Sequence, residues 1–542
     1  MAEMTGGGAI VDSLIANGID LVFGVPGAQL DYSFSAMYDR SNEIKIIHAR
    51  HEQGAAYMAY GFAQSTGKVG AFFVVPGPGL LNAMAAISTG YACNTPMFCI
   101  SGQIPSKKIN GKTGQLHEIR DQIEIVGKVP KFAHRIDEPE ETPAAMARAL
   151  NELTSGRIRP VEIEMSMDIM PKKAEVEVAK AIQKRAAKKP DPTKISQAAV
   201  LIKAAKRPVV FIGGGTLDAS AEIRALAKTL CAPVVSTVNS LGVMDDRDPY
   251  AQRPVGGHFL WKDADVVVGI GTRMAIPLED WGLDENLKII RIDVDSEEMN
   301  IFTKPDIEIV ADAAEGAKAL NDALGEMDAK WSEDEMLSLK EQVAKEVGIM
   351  VPQVEYLNVI RDVLPDDGFF VSDLTQIGYA SRDGFPVYHP RTYIYPSYQG
   401  TLGHSYATGL GVQLANPDKK VITVAGDGGF MFNVQEMATA AQFNIPMVCV
   451  VFNDSAFGNV KRIQQNSHDG RVIASDLQNP DFVKLGESFG VKSSRTDSPE
   501  GLRAALKEGF GHDGPVLIEV KMDLADIPAP WHLYFRPPVR GE

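Results

Sequence analysis

The reading of this chain turns on Val421-Ile-Thr-Val-Ala-Gly-Asp-Gly-Gly-Phe430 and, shortly after it, Met447-Val-Cys-Val-Val-Phe-Asn-Asp-Ser-Ala-Phe-Gly458. An apolar β-run ends in Gly426-Asp427-Gly428-Gly429 and passes into a helical pattern that carries Gln435 and Glu436. Glycines at such a turn let the backbone approach a phosphate, whose charge suits the start of a helix. Asp427 stands at the strand end, placed to hold a hard divalent cation. The second β-run, Met447–Phe452, ends in Asn453-Asp454 and offers more oxygen ligands at the same sheet edge. Mg²⁺ held by a few protein oxygens and two phosphate oxygens fits this set. Gly-Asp-Gly alone reads as an ordinary βα turn. The Asn-Asp pair that closes the next strand, with Asp454 27 residues after Asp427, makes the pattern specific.

Outward from this motif, short apolar runs alternate with longer Ala-rich stretches along the whole chain. Leu21–Val25, Gly70–Val75, Met97–Ile100, Pro208–Ile212, Pro233–Thr237, Val266–Ile270 and Lys288–Asp293 are such runs. Strand–helix alternation of this kind predicts an α/β fold of three doubly wound domains with mostly parallel, buried sheets. Pro171–Lys194 reads as a linker, and Gly325–Glu346 as a charged helical connection. The expected domains are therefore 1–170, 193–325 and 350–525, followed by a tail, 526–542. That tail, with four prolines beside Trp531, Tyr534 and Phe535, reads either as a lid over a cleft or as a strap on its own domain.

Composition narrows the class further. The 542 residues are 45% hydrophobic and 23% charged, as in an ordinary globular protein. The net charge of −16 makes nucleic acid and anionic membrane poor partners. Cys93, Cys99, Cys231 and Cys449 lie in apolar surroundings without a CxxC pair, as reduced core thiols do. No basic-then-apolar leader opens the chain, and no apolar run reaches the roughly 20 residues that span a bilayer. A cytoplasmic enzyme is the expectation.

A second chemical stretch lies near the N-terminus, Ile46-Ile-His-Ala-Arg-His-Glu-Gln-Gly-Ala-Ala56. A strand leads into Glu52 at the start of a helix whose small residues, Gly54, Ala55, Ala56 and Ala59, permit close packing. A Glu in a first turn is ordinarily a favourable charge at the helix dipole. A zinc-binding HExxH is excluded, because position 55 is Ala.

Together these stretches resemble the thiamine diphosphate-dependent enzymes, whose signature is GDG followed by about 25 residues and a strand-ending NN pair. The three domains would then be pyrimidine-binding, central and Rossmann-like, and diphosphate-binding. By this resemblance Asp427, Asp454 and the carbonyl of Ala456 hold Mg²⁺, with Asn453 as the second candidate where the family has Asn-Asn. Glu52 would hydrogen-bond the aminopyrimidine ring, favouring the tautomer that removes the thiazolium C2 proton. The cofactor carbon is then nucleophile and electron sink.

Further stretches match the family in order. Phe23-Gly-Val-Pro-Gly-Ala-Gln29 supplies Pro26, Gly27 and Gln29, and Pro76-Gly-Pro-Gly-Leu-Leu-Asn82 supplies Gly77 and Asn82. Thr375-Gln376 matches a diphosphate-contacting turn, joined by Gly426, Gly428, Gly429, Phe457 and Gly458. In Gly400-Thr-Leu-Gly403, Leu402 would wedge the cofactor into its bent form and the Gly400 carbonyl would meet its amino group.

Within the family the chain looks like the acetolactate synthase branch, together with benzaldehyde lyase and cyclohexane-1,2-dione hydrolase. Acetolactate synthases carry Phe-Gln-Glu in a loop that here reads Gly114-Gln-Leu-His-Glu-Ile119, so that Leu116 and His117 replace Phe and Gln. His117 becomes a candidate acid/base near C2, and Gln29 is a further catalytic candidate. FAD or ADP in the central domain is the unfavoured reading, since Arg273-Met-Ala-Ile-Pro277 departs from the FAD-binding segment. The resemblance implies decarboxylation of a pyruvate-like 2-oxo acid with carboligation to a second carbonyl. Its rivals are a lyase or hydrolase of acyloins, 1,2-diones or 2-hydroxyacyl-CoA, and a non-catalytic binding homologue. It also implies a homo-oligomer, at least a dimer and commonly a tetramer, because the cofactor lies between subunits.

Overall fold

The computed structural model describes residues 2–178, 186–523 and 528–541. Three six-stranded sheets, each parallel throughout, form three α/β domains. In the N-terminal domain the strands lie in the order Lys45–His48, Leu21–Gly24, Gly70–Val74, Met97–Gln103, Val161–Ser166, Phe132–Ile136. The C-terminal domain repeats this topology, from Tyr393–Ile394 and Phe369–Ser372 through Val421–Gly426 and Val448–Asn453 to Val516–Lys521 and Lys492–Thr496. Both orders reverse between their first and third strands, which makes the carboxyl ends there a topological switch point. The central domain instead places its first strand, Pro208–Ile212, beside its fourth, Val266–Ile270, in the dinucleotide-fold order. Buried runs such as Val-Val-Val-Gly-Ile270 are apolar on both faces because helices cover both sides of the sheet.

The two terminal domains share one apolar core, which joins Phe23, Tyr57 and Phe72 to Tyr406, Phe430 and Phe482. At its centre the helix Glu52–Thr66 crosses the helix Ser405–Ala415. The crossing is so close that a Cβ at Gly61 would lie 2.0 Å from the Thr408 carbonyl oxygen, and one at Gly411 1.9 Å from that of Met58. Gly54, one of the small residues read from the sequence, faces Glu436 instead. The central domain keeps its own core, around Phe211, Trp261 and Trp281.

One connection differs from the sequence expectation, and the other is helical as read. Lys173–Val176, inside the expected linker, is a strand antiparallel to Ala2–Thr5. Its alternation, with Ala174 and Val176 buried, is too short and too charged to stand out. The charged connection contains the helix Glu333–Val347, started by a Ser332–Glu335 capping box and anchored by buried Met336 and Leu339. In the tail, Leu533 is buried, Trp531 packs on Tyr379 at 5.2 Å, and the Val539 amide donates to the Trp281 carbonyl at 2.9 Å. The described tail residues thus contact both the C-terminal and the central domains.

Candidate active site

At the switch point of the C-terminal sheet, Phe369–Ser372 leads into Thr375 and Val421–Gly426 into Asp427. The helices Gln376–Gly384 and Gly458–Ser467 both begin there, so backbone amides converge on one pocket of about 250 Å³. Thr375, Gln376, Gly400, Leu402, Gly426, Asp427, Gly428, Gly429, Asp454, Ala456, Phe457 and Gly458 all line it. Every diphosphate-domain residue read from the sequence as a cofactor or metal contact is thus brought together, except Asn453. Among the described residues, none from the N-terminal domain lines this pocket.

Two carboxylates sit side by side in it. Burial raises the Asp427 carboxyl, and burial with the charge of Asp427 pushes Asp454 up to about 7. An oxygen-only pair strained by mutual repulsion is a site that a hard divalent cation relieves. Asn453 is committed elsewhere: its Nδ2 donates to Glu519 at 2.7 Å, and its Oδ1 accepts from Asn479 at 3.0 Å and from the Ser455 amide at 3.1 Å. The pocket therefore fits a magnesium diphosphate group held on Asp427, Asp454 and the helix starts.

The N-terminal half occupies the equivalent switch point of its own sheet. Leu21–Gly24 leads to Pro26 and Gly27, and Gly70–Val74 to Gly77 and Asn82. Asn82 Nδ2 donates to Glu52 Oε2 at 3.0 Å. Gln29 Nε2 donates to the Leu116 carbonyl at 3.1 Å, which turns its Oε1 toward His117 Nδ1, also at 3.1 Å. In that amide orientation Nδ1–H donates to Oε1, which leaves Nε2 as the ring nitrogen without a protein partner in this pair. His117 has a φ of 67°, an uncommon conformation for a residue with a side chain. Its carbonyl lies against Gly77, where a Cβ would come within 2.3 Å of that oxygen. With a φ of 59° as well, position 77 requires glycine.

Three side chains escaped sequence reasoning. Asp373, fully buried, accepts from the Leu374 amide at 2.8 Å and the Gly403 amide at 2.9 Å, tying the Thr375 turn to the Gly400–Gly403 turn. Gln122 accepts from the Gly77 amide at 2.8 Å and donates to buried Glu164 at 2.7 Å. Asn479 donates to Asp427 Oδ2 at 2.6 Å. Asp373 ends a strand as Asp427 does, which was a usable signal. The other two act only through distant contacts.

A separate cleft of about 550 Å³ lies at the central switch point, lined by Gly213, Gly271, Arg273, Trp281 and Asp293, and meets the diphosphate pocket at Leu374, Tyr379 and Gly400. Arg273 is engaged there with Glu298 at 3.1 Å and lies over the Tyr398 ring.

Residues 4–125, 195–320 and 373–520 match, in turn, the N-terminal TPP binding domain, the central domain and the C-terminal TPP binding domain of thiamine pyrophosphate enzymes. The chain is 31% identical to a probable 2-ketoarginine decarboxylase of Pseudomonas aeruginosa, over 96% of its own length and 94% of that protein's. It is 31% identical to a probable acetolactate synthase large subunit of Methanocaldococcus jannaschii, over 96% and 93%. With an acetolactate synthase of Bacillus subtilis it shares 30% identity over 97% and 94%.

Proposed function

The chain belongs to the thiamine pyrophosphate enzyme family, and from that premise we propose that it decarboxylates a 2-oxo acid of the pyruvate class and joins the remaining unit to a second carbonyl. The observation that carries this reading is the pair of equivalent switch points. One offers Asp427 and Asp454, the other Glu52, Gln29 and His117. When bound, thiamine diphosphate supplies a carbon nucleophile and electron sink for cleaving a bond beside a carbonyl.

The chain's own residues take the remaining roles in this proposal. Asp427, Asp454 and the Ala456 carbonyl hold Mg²⁺, and Gly426, Gly428, Gly429, Thr375, Gln376, Phe457 and Gly458 frame the diphosphate. Leu402 and the Gly400 carbonyl would pack against the cofactor's rings, and Pro26, Gly27, Gly77 and Asn82 would border its pyrimidine side. Glu52, its carboxylate oriented by the Asn82 amide, would hold and move a proton on the pyrimidine side. His117 exchanges protons at Nε2 with the substrate oxygen, and Gln29 fixes its tautomer.

The two halves are completed by a second copy of the chain, so the working unit is at least a homodimer. Exposed Leu81 and Leu116 beside the N-terminal half, and Phe432 and Val460 beside the C-terminal half, are apolar surfaces that such a partner covers.

The test is CO₂ release from a panel of 2-oxo acids, including pyruvate and a guanidino-bearing acid, with and without thiamine diphosphate and Mg²⁺. Release that requires both supports the reading, and the preferred acid names the donor. No release from any member, with cofactor binding confirmed, overturns it in favour of acyloin or 1,2-dione cleavage.

A further inference from the structure

Glu436 is a buried carboxylate in the diphosphate domain, nine residues beyond Asp427 in the turn Val434–Glu436, and no diphosphate-pocket role accounts for it. Its Oε1 accepts from the backbone amides of Arg50 and His51, both at 3.1 Å. Its Oε2 accepts from the Thr439 hydroxyl at 2.6 Å and again from the Arg50 amide at 3.2 Å. Those two amides belong to the other terminal domain and immediately precede Glu52, the first residue of its helix. Burial raises the Glu436 carboxyl, while its bonds to Thr439, Arg50 and His51 work against that rise.

A carboxylate is withdrawn from water at high cost unless its lone pairs are used, and here they are used on the approach to Glu52. The helix makes room for it. A Cβ at position 54 would lie 2.3 Å from Glu436 Oε1, so Gly54 is the gap through which the carboxylate reaches the two amides. The same diphosphate-domain segment grips this strand end once more, where Gln442 Oε1 accepts from the Arg50 guanidinium at 3.0 Å.

We propose that Glu436 is a positioning residue for Glu52: by clamping the Arg50 and His51 amides, it fixes where the helix begins and so the direction in which the Glu52 carboxylate leaves the backbone. The inference rests on the assignment of Glu52 as the proton-handling carboxylate.

The experiment compares Glu436→Gln, Glu436→Asp, Gly54→Ala and Glu52→Gln with the unaltered enzyme. Three quantities are read: hydrogen exchange of the residue 49–56 backbone in the cofactor-free protein, C2–H exchange of bound thiamine diphosphate, and cofactor affinity in Mg²⁺. Glu436→Gln is expected to expose the Arg50 and His51 amides and to slow C2 exchange on the order of 10–100-fold, the scale of a misplaced catalytic group. Cofactor affinity should change little. Glu436→Asp, which keeps the charge but shortens the reach, should fall between. Gly54→Ala leaves the carboxylate in the chain but crowds it out, and should reproduce the defect even if Glu436→Gln does not assemble. Unaltered C2 exchange in both Glu436→Gln and Gly54→Ala, with Glu52→Gln slow, overturns the positioning role alone. Unaltered exchange in Glu52→Gln overturns the assignment beneath it as well.

Discussion

Glu52 and Asp427 both stand where a strand gives way to a helix, and each could be picked out of the sequence because that junction has a local pattern. What the pattern could not give is their company. Asn82 is reached from Glu52 across 30 positions and Asn479 from Asp427 across 52, so both depend on sheet order rather than on neighbouring residues. His117 and Gln29 form the clearest case. The sequence suggests a polar pair at odds with the acetolactate synthase pattern, and the structure brings the two to 3.1 Å although 88 positions separate them. If Glu52 moves the decisive proton, Glu52→Gln should leave cofactor binding largely intact and slow C2 deprotonation by roughly 10²–10⁴-fold, the usual worth of a positioned acid/base. Exchange measured by NMR on the bound cofactor decides this, and an unchanged rate contradicts the role.

Among the elements, the long apolar strands were legible and their ends were not. Met97–Ile100 continues to Gln103, because Ser101 and Gln103 are buried by pairing with acids that no local pattern announces. Ser101 donates to Glu162 at 2.6 Å and Gln103 to Glu164 at 3.3 Å on the adjacent strand. Burial, then the charge of Glu164, holds the Glu162 carboxyl well above its ordinary 4.5, against the pull of Ser101 and Arg135. A carboxyl raised on folding keeps its proton in the folded state. Its contribution is therefore full below 4.5 and is lost as pH climbs toward the folded value. The thermal stability of Glu162→Gln should exceed that of the unaltered protein by a margin that widens as pH rises above 4.5, at up to ~1.4 kcal/mol per pH unit. A margin independent of pH contradicts it.

The turns depend on a second such contact. Because the Asp373 carboxylate ties the Thr375 turn to the Gly403 amide, Asp373→Asn places an amide where both partners donate. Cofactor affinity, measured by calorimetric titration with Mg²⁺ present, should fall at least tenfold, the equivalent of about 1.4 kcal/mol for one such bond. Retained affinity would show that the two turns hold their shape without it.

For the whole molecule, strand–helix alternation sufficed for three parallel α/β domains, while the shared core of the terminal domains was not visible. Gly61 and Gly411 lie on helices that meet across 350 positions, which no local pattern announces. No helix of the described residues is long and apolar enough to cross a membrane. The assembly proposed above makes a prediction of its own. If each site takes Glu52 from one copy and Asp427 from another, mixing the inactive variants Glu52→Gln and Asp427→Ala under conditions of subunit exchange should restore activity, since hybrid dimers rebuild one intact site. Activity that stays absent in verified hybrids places both residues in the same copy.

The central claim, a 2-oxo acid decarboxylated and its remainder joined to a second carbonyl, is tested most directly by carbon NMR. Pyruvate labelled at C1 and C2 is incubated with the enzyme, thiamine diphosphate and Mg²⁺. The account predicts labelled CO₂ together with label in acetolactate or acetoin, both lost in Glu52→Gln. Pyruvate left intact by an enzyme shown to hold its cofactor, or CO₂ released with only acetaldehyde formed, would contradict it.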